Sequence, residues 1–556
     1  MTSMTGSRFF AKAMQAYGTT HVFLVPTILT PALAEMEEME IVRITAHSEK
    51  AAVYMADGYA RISHRPGICM SQTIGAANMA AALRDPFLAC SPVIAITGGR
   101  FSETKYRHVY QEIEDFPLFE PLSKFNVQID LPERLPDLLR QAFRSATTGC
   151  PGPVHLEVGG NFGQAIEGEA DLELFFEQQF STFPAIRTHP EPEKLQIVAE
   201  LLKTSQKPII VAGGGVMLSG AQLEVRKLSE ILSIPVATSL NAKGTLPENH
   251  PRSVGVVGSY SRTCANRLVA EADLVFFIGS RTGGQVTNNW QIPRKGTSVI
   301  QLDIEPSELG RNYPNVCSLW GDAKVSLKEL IKLINTNSMQ GNQVWLERVQ
   351  QVVDEWHSEV RALRYSEAVP MRPERICKEI EAVLPSDSIL VSDTGHAGIW
   401  SGTHIELHHP SQTYIRAAGS LGWGLPAAIG AKCAAPNRPV ICFTGDGGFY
   451  YHFAELETAI RYGIHPVIIV NNNHSLNQET EIFSSAYGGK QYTGLEMWQF
   501  QDLNIAKIAE SLGCLGLRVE QPEEIGPAVC QALQAEQPAV LDVVSDLEVL
   551  APEPWA

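Results

Sequence analysis

Several classes of protein are excluded by what this chain of 556 residues does not contain. Its ten cysteines include no Cys-x-x-Cys pair and no cysteine–histidine grouping at zinc-ligand spacing, which argues against a zinc module. Basic residues are in deficit. The 44 Lys and Arg stand against 61 Asp and Glu, for a net charge of −17. Phosphate backbones and anionic lipid headgroups repel such a surface, so neither nucleic acid nor a membrane is an expected partner. No apolar run approaches the ~20 residues needed to cross a bilayer, and Met1 to Phe10 has no signal-peptide apolar stretch. Cys69 and Cys442 sit inside apolar runs and read as reduced core thiols, the usage of a cytoplasmic protein. Short-period repeats, low-complexity tracts and heptad runs are missing as well.

What is present is ordinary material for a large core, 44% hydrophobic and 19% charged, in a length that suits about three or four domains. Apolar runs of strand length alternate with helical stretches in three blocks. The first, residues 1–180, holds Val22–Val25, Gly67–Met70 and Pro92–Ile96, with a helical stretch from Lys50 to Arg61. A proline-rich linker, Phe183 to Pro192, follows. The second block, 193–335, holds Pro208–Ala212, Leu274–Ile278 and Ser298–Leu302, and the polar stretch Asn335 to Asn342 closes it. A charged helix is expected over Trp345 to Leu363, and a third block over 365–556. The alternation predicts an α/β protein of three doubly wound, mostly parallel-sheet domains.

The third block carries the strongest chemical signal. Asp446 lies in Gly445-Asp446-Gly447-Gly448, directly after the apolar run Val440–Phe443. Asn473 closes Asn471-Asn472-Asn473, directly after Pro466–Val470. With a crossover helix between them (Phe453 to Tyr462), both strand ends fall at one edge of a parallel sheet, where ligands bind in open α/β folds. A carboxylate and an amide oxygen there make a hard site suited to Mg²⁺ shared with diphosphate oxygens. The glycines let backbone N–H groups come close to phosphate.

These residues resemble the signature of thiamine diphosphate-dependent enzymes, and the resemblance runs along almost the whole chain. His47-Ser48-Glu49-Lys50 with Ala56-Asp57-Gly58-Tyr59-Ala60-Arg61 is similar to the family's glutamate helix. Tyr110-Gln111-Glu112 with Ser123-Lys124-Phe125 is similar to its glutamine loop. Pro151-Gly152-Pro153-Val154 resembles the end of its first domain, and Gly422-Trp423-Gly424-Leu425-Pro426 the stretch beside the cofactor. The likeness is greatest to acetohydroxyacid (acetolactate) synthases. It implies a pyrimidine-binding first domain, a nucleotide-binding-like middle domain and a diphosphate-binding third domain, assembled as a homodimer or homotetramer with active sites between subunits. By the resemblance, Glu49 hydrogen-bonds the aminopyrimidine, Gln111 reaches the reaction centre, and Leu421 props the cofactor in its bent form. Asp446, Asn473 and the Ser475 carbonyl would ligate Mg²⁺. Thr394, Gly395, Gly419, Gly445, Gly447 and Gly448 would line the cofactor. His396, after Asp393-Thr394-Gly395, and His47 are further acid–base candidates, each equally readable as a structural histidine.

The chain departs from acetohydroxyacid synthases where the acceptor binds. Thr73-Ile74-Gly75 stands where those enzymes have Gly-Pro-Gly, Gln285 stands in place of the arginine that pairs with the acceptor carboxylate, and Ile482 in place of an acceptor-selecting tryptophan. Without the guanidinium fork the bidentate carboxylate clamp is gone from that position. The expectation is a carboligase that joins a 2-ketoacid donor such as pyruvate to a different carbonyl acceptor. A diketone or 2-hydroxyacyl lyase or hydrolase, a 2-ketoacid decarboxylase and a catalytically silent paralogue are the alternatives. Gly213-Gly214-Gly215 and Asp303-Ile304-Glu305 leave FAD or another adenine nucleotide open.

Overall fold

The computed structural model describes residues 2–334, 342–490 and 494–552. The stretch Asn335 to Asn342 thus lies outside the described residues except for Asn342. Three six-stranded parallel sheets organise the chain. The N-terminal sheet runs Val42–Thr45, His21–Val25, Gly67–Ser71, Val93–Gly98, Val154–Val158, Asn126–Ile129. The C-terminal sheet runs Thr413–Arg416, Ile389–Ser392, Val440–Gly445, Val467–Asn472, Ala539–Val544, Leu515–Val519. Numbered in chain order, both have the arrangement 2-1-3-4-6-5. The middle sheet, from Ser253–Val256 through Val236–Thr238, Pro208–Ala212, Leu274–Ile278 and Ser298–Asp303 to Cys317–Trp320, has the dinucleotide-binding order 3-2-1-4-5-6. One antiparallel pair, Thr2–Thr5 with Glu169–Leu172, ties the chain start to the first domain. The central strands, such as Pro208–Ala212, Leu274–Ile278 and Val467–Asn472, are buried along their whole length, as parallel strands covered by helices on both faces must be.

Two helices join the first and third domains. Glu49–Ser63 lies against Gly424–Ala434, and the contact is backbone on backbone. A methyl group at Gly58 would run into the carbonyl of Ala427, and one at Gly430 into that of Met55. The junction also buries Asp57, whose carboxylate takes Arg61 Nε at 2.8 Å and the indole N–H of Trp423 at 2.9 Å. Burial holds this carboxyl above its ordinary value, with Arg61 opposing the shift. At the middle–third junction Lys243 is fully buried, giving its ammonium to Glu248 at 2.6 Å and to the Gly402 carbonyl at 3.0 Å.

One local expectation differs from the structure. The crossover between the two chemistry-bearing strands is two helices, Asp446–His452 and Glu455–Arg461. The Gly-Asp-Gly-Gly stretch is therefore no loop; Asp446 is the first helical residue. Its own carboxylate accepts the Gly447 N–H at 2.9 Å, meeting one of the donors a helix start leaves free.

Candidate active site

The carboxyl edge of the C-terminal sheet gathers the groups of interest at the ends of three adjacent strands, Ile389–Ser392, Val440–Gly445 and Val467–Asn472. Asp446 is almost fully buried, and its second oxygen takes the Ser475 N–H at 2.9 Å. Gly445 pairs in register with Asn471, so the two strand ends lie side by side. Asn471 and Asn472 are the last residues of their strand, and Asn473 follows, buried. Asn472 turns away, donating to Asp542 at 2.7 Å. Burial pushes the Asp446 carboxyl up to about 7, against the pull of the Gly447 and Ser475 amides. Asn471 Oδ1 and Ser475 Oγ are buried with no hydrogen-bond partner. A buried carboxylate short of positive charge, with unsatisfied oxygens around it, fits a hard divalent cation. Gly445 and Gly419 face open space where a side chain would stand, as a cofactor channel requires, whereas Gly447 and Gly448 are packed against Leu476 and Thr444.

The neighbouring strand, Ile389–Ser392, leads into Asp393-Thr394-Gly395-His396. Gly395 has φ 67°, a left-handed conformation that a residue with a side chain adopts at a cost, and helix His396–His404 starts after it. Asp393 is buried and accepts the N–H groups of Thr394, Gly422 and Gly424, while burial raises its carboxyl to about 6. Asn477 gives both amide hydrogens to the Leu547 and Val549 carbonyls, so its oxygen must accept from His396 Nδ1, at 2.8 Å. That assigns the proton to Nδ1 and leaves Nε2 as a free base. Burial holds the imidazole below 6.5.

The loop Ala418–Leu421 is held from another domain. Asp85, on helix Ala76–Leu88 of the first domain, is buried and accepts the N–H groups of Ala418 at 2.8 Å, Gly419 at 3.2 Å and Ser420 at 2.9 Å. Gly419 itself is exposed and Leu421 half-buried. Glu49 begins its helix half-buried, takes Asn78 Nδ2 at 3.1 Å and lies directly over Gly75, where a methyl carbon would come within 2.6 Å of Glu49 Oε1. Gln111, at φ 65°, accepts from Asn161 at 2.9 Å. Among the described residues no hydrogen bond or ion pair joins Glu49 or Gln111 to the Asp446 edge of the same chain. His47 is committed elsewhere, 2.7 Å from Glu457.

Sequence reasoning missed Asp85, Asn477 and Arg416. The first two act through folded geometry and leave no local motif. Arg416 ends the edge strand Thr413–Arg416, and the only trace in the sequence is a guanidinium inside an apolar run. A cavity of about 430 Å³ lies where the three domains meet. Gly213–Gly215, Arg281, Gln285, Asp303, Tyr260 and Arg416 are among its lining residues. Gly213 and Gly215 are required there by the close backbone of Gly279, not by open space.

Three α/β domains, each built on a six-stranded parallel sheet, are the architecture of the thiamine pyrophosphate enzymes, and the chain belongs to that family. Residues 4–118 match the thiamine pyrophosphate enzyme N-terminal TPP binding domain, 195–330 the central domain and 393–543 the C-terminal TPP binding domain. Within the family it is an acetolactate synthase-like enzyme. It is 33% identical over 555 residues to the "Probable acetolactate synthase large subunit" of Methanocaldococcus jannaschii, covering 98% of this chain and 92% of that one. It is 28% identical to the acetolactate synthase large subunit of Haemophilus influenzae, covering 97% and 94%.

Proposed function

We propose that the protein is a Mg²⁺-dependent carboligase that takes a 2-ketoacid donor such as pyruvate and joins its acyl unit to a carbonyl acceptor other than those of acetolactate synthases. The observation that carries this reading is the convergence of Asp446, Asn473, Ser475 and His396 on one sheet edge beside the Ala418–Leu421 loop. Asp446, Asn473 and the Ser475 carbonyl would hold the metal, and the amides around Gly445–Gly448 and Thr394-Gly395 would face the diphosphate. Thiamine diphosphate, when bound, supplies the carbon that stabilises the acyl carbanion. Glu49 would hold a proton at the aminopyrimidine, Gln111 would orient the reacting carbonyl, and Leu421 would support the bent cofactor. His396 Nε2, kept neutral by burial, offers a lone pair for proton transfer.

A second copy would complete the site, since among the described residues no hydrogen bond or ion pair links Glu49 to the Asp446 edge of its own chain. Ile74 (53% exposed), next to the Gly75 that Glu49 covers, Tyr106 (79%) and Tyr110 (78%), in the stretch before Gln111, and Tyr451 (61%), on the helix that Asp446 opens, supply apolar surface for that contact. We therefore infer a homodimer or a higher homo-oligomer. The 3-2-1-4-5-6 order favours the junction cavity as the place for FAD or another adenine nucleotide. The reading is tested by supplying the protein with thiamine diphosphate, Mg²⁺ and pyruvate, with and without aldehydes or ketones. Carbon dioxide and an acyloin are expected; the appearance of neither rejects the assignment.

A further inference from the structure

Two cysteines in the wall of the junction cavity have no part in the site described above. Cys90 and Cys150 both line the cavity and are half-buried, whereas Cys69, Cys377 and Cys442 are sealed in the core. The two thiols hydrogen-bond to each other. Arg281, from the middle domain, donates from Nη2 to Cys150 Sγ at 3.5 Å. The backbone fixes both sulfurs. Cys90 follows helix Ala76–Leu88 at φ 56°, a left-handed conformation that a residue with a side chain adopts at a cost. Cys150 sits in the loop before strand Val154–Val158. Lys124 Nζ grips that loop through the Thr148 and Cys150 carbonyls, each at 2.7 Å. Gly149, beside Cys150, is exposed and faces open space, so a small molecule can approach the sulfur.

A thiol donor and a guanidinium around one sulfur favour its thiolate. The Cys90 hydrogen bond and the Arg281 charge hold the Cys150 thiol below its ordinary value against the effect of burial, and the same hydrogen bond raises Cys90. The pair is therefore unequal: one sulfur is a nucleophile, and the other keeps its proton.

We propose that Cys90 and Cys150 form a thiol–disulfide exchange site for a low-molecular-weight disulfide, with Cys150 the attacking thiolate and Cys90 the resolving thiol. Cys150 Sγ attacks one sulfur of the incoming disulfide. That S–S bond breaks, and its other half leaves as a thiolate that takes up the proton Cys150 has lost. Cys90 then gives up its proton and attacks Cys150 Sγ. The mixed disulfide breaks, and the second half leaves as a thiol. Two electrons pass from the protein dithiol to the small disulfide, and two small thiols are released. The new bond lies wholly within the first domain, and its sulfurs carry no charge for Arg281 to hold. Oxidation thus exchanges a contact between the first and middle domains for a bond inside the first, and leaves Arg281 to Glu308, 3.9 Å away.

The test exposes the reduced holoenzyme to glutathione disulfide and maps it by peptide mass spectrometry, with exposed Cys530 as the internal control. Wild type should lose two hydrogens and yield a peptide pair linked through Cys90 and Cys150. Cys90→Ser should instead keep glutathione on Cys150, and Cys150→Ser should leave Cys90 unmodified. In reduced wild type, the pH midpoint for iodoacetamide alkylation should lie at least about one unit lower at Cys150 than at Cys530. Arg281→Gln should raise the Cys150 midpoint by about half a unit or more. A wild-type protein that stays reduced, or that stops at a glutathione adduct, overturns the proposal. So does a Cys150 midpoint no lower than that of Cys530 or unmoved in Arg281→Gln, or a Cys90 that reacts undiminished in Cys150→Ser. If a variant does not fold, the wild-type map and pH profile decide alone. None of these readouts involves turnover of a 2-ketoacid, so failure of the carboligase reading is seen separately.

Discussion

Replacing Asp85 by asparagine tests whether one first-domain carboxylate organises the Ala418–Leu421 loop of the third, the loop proposed to support the cofactor. Three backbone N–H groups converge on it within 3.2 Å, and the site is closed to water. A hydrogen bond to a charged group contributes about 1.5–3 kcal/mol, and a buried donor left without an acceptor costs about 1–3 kcal/mol. Asparagine keeps one acceptor oxygen but turns an NH₂ toward a cluster of donors, so at least one loop amide loses its partner. Arg61, 3.4 Å away, also loses a counter-charge but retains Asp57. The expected destabilisation is about 3 kcal/mol, a fall of roughly 6–12 °C in Tm for a domain of this size. Some of that energy reappears at the site. With Ala418–Ser420 released, ordering the loop must accompany cofactor binding, at about 1–2 kcal/mol per residue fixed. Affinity for thiamine diphosphate with Mg²⁺ should therefore drop about 10–100-fold. Calorimetric titration and thermal denaturation of the two proteins measure both effects. A variant that melts within about 1 °C of wild type and binds the cofactor equally well would refute the assigned role of Asp85.

Glu49→Gln should slow thiazolium proton exchange in deuterated water by about 10²–10⁴-fold with cofactor binding largely kept. Gly75→Ala should act the same way, because its methyl carbon would occupy the space of Glu49 Oε1; unchanged exchange in either variant removes Glu49 from the chemistry. His396 is neutral because burial lowers its pKa below 6.5. The unfolded chain takes this proton first as pH falls, so the residue subtracts stability below pH 6.5, and the acid limb of kcat should lie below 6.5 too. Asn477→Asp puts an anion against Nδ1 and should move that limb upward by about one pH unit; a pH–rate profile that stays in place contradicts a titrating His396. Glu248→Gln leaves buried Lys243 without its carboxylate and should cost about 3–5 kcal/mol in thermal or urea denaturation, partly restored by adding Lys243→Met.

Much of the architecture was legible because parallel strands buried on both faces are written as continuous apolar runs. Pro208–Ala212 and Leu274–Ile278 match their strands residue for residue, and Val467–Asn472 extends its run by the two asparagines that bring Asn473 to the sheet edge. The start of the helix at Asp446 was not legible, since it depends on a carboxylate bending back to its neighbour's amide, which spacing does not report.

By itself, then, the sequence determined the strand-and-helix alternation, the oxygen-bearing side chains after two strands and the family they signal, because each rests on residues close together in the chain. The tertiary structure alone decided that Asp85 holds Ala418–Ser420 across 333 to 335 positions, that Asn477 sets the proton on His396, and that Arg416 meets Gln285 from another domain. Those pairings follow from how three sheets dock. Docking is governed by close-packed shape, such as the glycine contacts of Gly58 and Gly430, which no local pattern of residues encodes.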